Sequence, residues 1–224
     1  MQITTTQCSR HRHPEFVLEC DERLIPPENL QRVADTIESM VASGSKFKAD
    51  QTFQIGWLFT LVKPYDKVRL TLVEPDMRQM PIQWVSGITQ TLRQMMVQLF
   101  MLDSVNLRSS MAISHLQQSL IACTRYTEPD FVMERVQEEG HASGWFLGCA
   151  DEGHDHNARD NLFLVSLYEA YLNQPAIEGF LTFPPGSTIT VSRKEGIHIN
   201  YREKPLPILP DSFLAQWSRQ YQAK

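Results

Sequence analysis

Apolar positions along the chain change their period several times, and each change marks an element. Leu30, Val33, Ala34, Ile37, Met40 and Val41 recur at steps of three and four, which puts them on one helical face. Pro26-Pro27 stands just ahead of them, where a missing N–H costs a first helical turn nothing. Ser43-Gly44-Ser45 marks the end. Phe16-Val-Leu-Glu-Cys20 reads as a short strand, and two further β-rich runs cover 52–62 and 67–74. In the second of these, Val68, Leu70 and Leu72 alternate with Arg69 and Thr71, the mark of a half-buried strand. The two runs, joined by Lys63-Pro64-Tyr65-Asp66, are expected to form a hairpin. Past Pro75 and Pro81 the spacing predicts the longest helix, over 82–105, with Val85, Ile88, Leu92, Met95, Leu99 and Leu102 on one side. Met96, Phe100 and Met101 broaden that side. A methionine stripe can mark an adaptable groove, but apolar residues at helical spacing favour core packing. Gly87 falls early in this helix, and 106–110 is a polar break between two halves.

The second half alternates more often. Leu120-Ile-Ala-Cys123, residues 131–137 and Trp145-Phe-Leu147 read as strands. Residues 187–192 and 197–201 are two more, folded about Arg193-Lys-Glu-Gly196 as a hairpin. A helix is expected over 161–172 with Leu162, Val165, Leu167, Tyr168 and Leu172 inward, stopped by Pro175. Pro205, Pro207 and Pro210 end regular pairing, and a terminal helix over 212–221 docks through Phe213, Leu214 and Trp217. Residues 1–13 carry no apolar pattern and read as a frayed tail. The expected class is α+β: two small α/β halves, each a mixed or antiparallel sheet with one or two packed helices. A helix–hairpin–helix unit spans 14–108, a second α+β domain spans 116–203, and 204–224 is a tail with a short helix.

Composition narrows the setting. No apolar run approaches a membrane span, and residues 1–13 lack the apolar core of a secretory signal, so a cytoplasmic protein is expected. Cys8, Cys20, Cys123 and Cys149 lie far apart without a Cys-x-x-Cys pair, which favours reduced thiols. The net charge is −5, and it is concentrated. Between 127 and 160 nine acidic residues stand against Arg135 and Arg159 alone. Such a surface disfavours nucleic acid and suits a basic partner, although charge runs also serve solubility.

The candidate chemistry lies in one loop. His154 and His156 are alternate residues and can point the same way on an extended segment, with Asp151, Glu152, Asp155 and Asp160 around them. Two metal ligands are thus possible, but the sequence indicates no third, and the simpler reading is a polar loop with no metal or cofactor. Cys8, His11, His13 and Cys20 fit no usual zinc spacing. Cys149, close to the buried-looking Trp145, reads as an inert thiol. There is no Gly-x-Ser-x-Gly elbow, P-loop or dinucleotide glycine motif, so no enzyme is expected. Asp151, Glu152, His154, Asp155, His156 and Asp160 are the candidate partner-binding residues, since an acidic loop steers and selects a basic protein. The remaining alternatives are a metal-dependent hydrolase or small-ligand enzyme built on His154, Asp155 and His156, and a protein-interaction adaptor.

Several short motifs occur in a suggestive order: Leu120-Ile-Ala-Cys-Thr124, Ser143-Gly-Trp-Phe-Leu-Gly148 with an acidic continuation, a helix ending at Pro175, and Phe180-Leu-Thr-Phe-Pro-Pro-Gly186. Over 116–203 this resembles the small α/β domain of bacterial immunity proteins that neutralise polymorphic toxins. In that family the glycine commonly stands closer to the acid than in Gly148-Cys149-Ala150-Asp151. The resemblance implies an antitoxin without turnover or cofactor, whose partner is a cognate secreted toxin with a basic surface. Neither nucleic acid nor membrane is implied as a partner, and the oligomeric state is left open.

Overall fold

The computed structural model describes residues 1–223. The protein is α+β, with two sheets and helices of both long and short kinds. It divides into a compact unit covering Met1–Met96 and a second that begins at Val97.

The first unit contains β1 (Gln2–Thr4), β2 (Phe16–Glu19), α1 (Pro27–Ala42), β3 (Thr52–Ile55), β4 (Leu58–Pro64), β5 (Leu70–Pro75) and β6 (Trp84–Ser86). Its sheet runs β1-β2-β5-β4-β3, with β6 also on β5. Only β2 and β5 pair in parallel. Leu30, Val33, Ala34, Ile37 and Val41 of α1 join Phe16, Leu18, Phe53, Val62 and Leu72 in one core. Met40, expected on that face, is exposed.

Three expectations change here. Residues 1–13 are not frayed: β1 pairs with β2, and the Glu15 carboxylate accepts bonds from Thr5 Oγ1 (2.6 Å), Cys8 N (3.2 Å) and Ser9 N (2.8 Å). Polar bonds order this stretch, so it shows no hydrophobic period. The apolar run 52–62 is two strands, β3 and β4, paired from Thr52↔Leu61 to Ile55↔Leu58. The turn is hidden because its Trp57 is itself buried, donating from Nε1 to Gln94 Oε1 at 2.9 Å. The helix expected over 82–105 begins only at Thr89. Trp84–Ser86 is drawn onto β5 instead, and Gly87 sits at φ +81° with the space of a Cβ only 2.9 Å from Glu19 O, a position that excludes helix and side chain alike. This helix, α2 (Thr89–Asp103), has 15 residues against 16 in α1, so it is not the longest.

The second unit holds β7 (Ser119–Cys123), β8 (Phe131–Arg135), β9 (Ala142–Cys149), β10 (Leu162–Ser166), α3 (Leu167–Asn173), β11 (Ser187–Ser192), β12 (Gly196–Tyr201), β13 (Lys204–Pro205) and α4 (Phe213–Gln222). The sheet order is β10-β7-β9-β8-β11-β12-β13, antiparallel except for β7 beside β9. Pro205, expected to end pairing, lies in the edge strand β13, where a missing N–H is tolerated. The helix expected over 161–172 is half strand. Leu162–Ser166 pairs with β7, and the helix starts only after Ser166, whose hydroxyl accepts from Glu169 N at 3.1 Å.

Alternation gives this sheet two faces of opposite character. One row across the strands reads Ala122, Leu147, Met133, Ile189, Ile199, in register and buried throughout. The buried side chains of the unit also include Leu167, Tyr168 and Ala170 of α3 and Leu214 of α4. Trp217 of α4 stacks on Tyr221 and meets Phe180 edge-on, while Phe213, 36% exposed, packs against Phe100 with ring centres 5.7 Å apart. The next row reads Leu164, Ile121, Phe146, Glu134, Thr188, Asn200. It begins apolar, ends polar, and Leu164 and Ile121 are 69% and 45% exposed.

Candidate functional site

The first part of that second row, Leu164 to Glu134, floors a groove of about 480 Å³ between β10, β7, β9 and the end of β8. Ile121, Leu164, Phe146 and Val136 line it, with Glu134 and Glu139 along one side. Val136 is 66% exposed. Exposed β-branched and leucine side chains in a contiguous patch mark an interaction surface more often than a solvated face. The register of β7 with β9 shifts here, and Gly144, at φ +75°, lies so close to Val136 O that a Cβ would sit 2.2 Å from it. This bulge lets Val136 N bond Gly144 O at 2.9 Å beyond the regular ladder.

On the buried side of β8, Arg135 is fully enclosed. Its guanidinium donates to Ala112 O (2.8 Å), Phe183 O (2.6 Å), Ser114 Oγ (2.6 Å) and the Glu138 carboxylate, and it lies 5.3 Å over the Trp145 ring. Burial pushes the Arg135 guanidinium below its ordinary range, while Glu138 holds it up. Trp145 is therefore core, as its apolar strand implied. The Pro184-Pro185-Gly186 bend is tied to the same place, because Gly186 N donates to Arg135 O at 2.6 Å.

The acidic loop leaves β9 at the far end of the groove. Asp151, Glu152, Asp155 and Asp160 are exposed, whereas His154 and His156 are half-buried. Asp151 does not present a bare charge: Arg125, just outside the acidic run, pairs with both Asp151 and Glu128 at 2.6 Å. A backbone bond from Gly153 and this arginine hold the Asp151 carboxyl below its usual range. Asp155 Oδ1 accepts from Asn157 N at 2.8 Å, and Asn161 Nδ2 donates to Asp155 O at 2.8 Å, which closes the loop on itself.

The two imidazoles turn inward toward each other, with ring centres 5.0 Å apart, and His156 packs edge-on against Phe146 at 5.4 Å. Gly148 leaves room for this: a Cβ there would lie 2.8 Å from the Phe146 ring and 3.1 Å from His156 Cε1. Below them stand Cys123 and Cys149, both buried. One ligand atom from each of Cys123, Cys149, His154 and His156 lies within 4.8 Å of the other three. Burial pushes the Cys149 thiol up, and Cys123 beside it adds to the shift. The sequence offered His154 and His156 as a pair. It missed the cysteines because Cys123 reaches the loop only through the parallel pairing of β7 with β9. Cys149-x4-His154-x-His156 was the readable part of the signal. The other histidine–cysteine stretch is structural: Cys8 Sγ bonds Thr5 Oγ1 at 3.6 Å, and His13 Nε2 accepts from Phe47 N at 2.8 Å.

Among the described residues no helix is long and apolar enough to cross a membrane. Residues 98–201 match the family model of the Imm33-like domain, an immunity protein family. The resemblance read from the motifs of the C-terminal half is thereby borne out. No curated protein and no solved structure gives a significant match.

Proposed function

We propose that this protein is an antitoxin whose Imm33-like segment binds a cognate bacterial toxin and occludes its active surface, without turnover. The observation that carries this reading is the exposed row Leu164–Ile121–Phe146 within the matched segment, flanked by Glu134, Glu139 and the acidic loop. An apolar centre with a charged rim is the anatomy of a protein interface. The carboxylates Glu152, Asp155 and Asp160 would face Lys or Arg of a basic toxin, with Asp151 shared with Arg125. Complementary charge at such a rim speeds encounter and rejects wrong partners. His154 and His156 serve the surface from beneath, holding the loop's shape. Protection takes place where the toxin would act, which by this reading is the cytoplasm.

The test is protection in living cells. Toxins encoded in the source genome are expressed one by one with this chain, and growth is scored. One toxin is expected to be neutralised and to co-purify at one-to-one ratio. The double variant Ile121→Lys/Leu164→Lys is expected to lose both protection and co-purification, because surface substitutions of this kind leave the fold standing. A correctly folded double variant that protects as well as the parent removes the sheet face from the interface.

A further inference from the structure

We propose that Cys123, Cys149, His154 and His156 form a structural site for one zinc ion. The four residues supply two thiolates and two imidazoles, the ligand set that suits zinc in four-coordinate sites closed to water. Their ligand atoms already lie within 4.8 Å of one another. Cys149 Sγ stands 3.6 Å from His156 Nε2. For a tetrahedral ion with bonds of about 2.3 Å to sulfur and about 2.05 Å to nitrogen, that edge should be about 3.6 Å.

Two further observations point to a ligand. Nε2 of His154 is buried and has no hydrogen-bond partner, a state that polar atoms rarely keep without something to bind. Sγ of Cys123 accepts two backbone N–H groups, from Cys149 at 3.2 Å and from Arg125 at 3.4 Å. Such donors stabilise a thiolate and orient it toward a metal. The fold makes the juxtaposition. Parallel strands β7 and β9 end side by side with a cysteine at each last position, and the loop after β9 returns both imidazoles over them.

Four protein ligands leave no open position, so the ion would be structural and would not activate water. Its work is to fasten the loop that carries Glu152, Asp155 and Asp160. Binding releases the protons of the two thiols, so affinity rises with pH. This inference stands on the cluster alone and needs no toxin.

The test uses the full chain, purified under reducing conditions without chelator. Metal content is measured by elemental analysis, followed by titration with zinc alone and with cobalt(II) alone. About one zinc per chain is expected. Cobalt is expected to give thiolate-to-metal charge transfer together with the intense visible bands of a tetrahedral ion. Cys123→Ser and Cys149→Ser should abolish the charge-transfer signature, or halve it where one thiolate still binds. His154→Ala and His156→Ala, in the loop after β9, should weaken binding about tenfold or more. His141→Ala, on the surface, should leave it unchanged. Zinc should raise the melting temperature of the parent and not of His156→Ala. The proposal is overturned if the reduced full chain takes up less than about a tenth of an equivalent from excess zinc. It is equally overturned if zinc affinity is unchanged by Cys149→Ser and His156→Ala alike, or if the thiols of the protein as isolated form a Cys123–Cys149 disulfide that no reductant converts to a metal-binding form.

Discussion

Arg135 concentrates the energetics of the second unit in one side chain. It carries a cation into the core, and the carbonyls of Ala112 and Phe183, the Ser114 hydroxyl and the Glu138 carboxylate take up donors of its two terminal nitrogens, while Nε is buried without a partner. Replacing a buried ion pair outright can be neutral, but removing one partner strands the other groups without water. Arg135→Met is therefore expected to lower unfolding free energy by about 3–5 kcal/mol, read from urea denaturation. Glu138→Gln should cost less, because the Glu138 side chain is 31% exposed and its carboxylate partly solvated. A variant pair in the reverse order would locate the stabilisation in Glu138 and not in the buried cation. Sequence reading counted Arg135 as one of two positive charges in an acidic run and placed it in a strand, on one side with Met133, without assigning that side to the core. Alternation with Met133 and Phe131 was the clue that it faces inward.

At the scale of elements, α2 shows how a helix start can be set from a distance. Gly87-Ile88 offers no capping side chain, so Glu74 of β5 supplies one, accepting from Gln90 N at 3.0 Å and Thr91 N at 2.7 Å. Its carboxylate meets the positive end of the helix dipole, yet burial still pushes Glu74 above its ordinary 4.5. An acid raised in the folded state contributes its full stability below its unfolded pKa and loses it as pH rises through the folded one. The stability difference between wild type and Glu74→Gln should then narrow as pH rises above about 4.5 and through the raised folded-state pKa. A gap that stays constant or widens would contradict this assignment. Elements with a local signature were legible: α1 from its stripe and Pro27, β11 and β12 from their alternation, α4 from Phe213, Leu214 and Trp217. Those set by remote partners were not. The start of α2 depends on Glu74, and β1 depends on Glu15 and β2. β10 looked helical because Leu162 and Val165 are three apart, while the Ser166-x-x-Glu169 spacing that marks the true helix start went unread. Of the candidate site, the loop and its histidines were visible. The groove was not, because it needs four strands in register.

For the molecule as a whole, charge is unevenly shared. The acidic run is partly offset by Arg125, so the field reaching a partner comes chiefly from Glu152, Asp155 and Asp160. If these steer the toxin, Glu152→Lys/Asp155→Lys should slow association about tenfold at low salt and flatten its dependence on ionic strength, with dissociation changed less. Stopped-flow or surface-binding kinetics at several salt concentrations measure this, and unchanged rates would exclude the loop from encounter. The two registers of the C-terminal sheet have a wider consequence. The row Ala122–Leu147–Met133–Ile189–Ile199 holds the fold, and the row Leu164–Ile121–Phe146–Glu134–Thr188–Asn200 meets the outside. Because neighbouring residues on a strand belong to different rows, point changes can rewrite one inscription while leaving the other intact. A lineage under pressure from changing adversaries can thus alter what the scaffold recognises, one residue at a time, without first having to rebuild it.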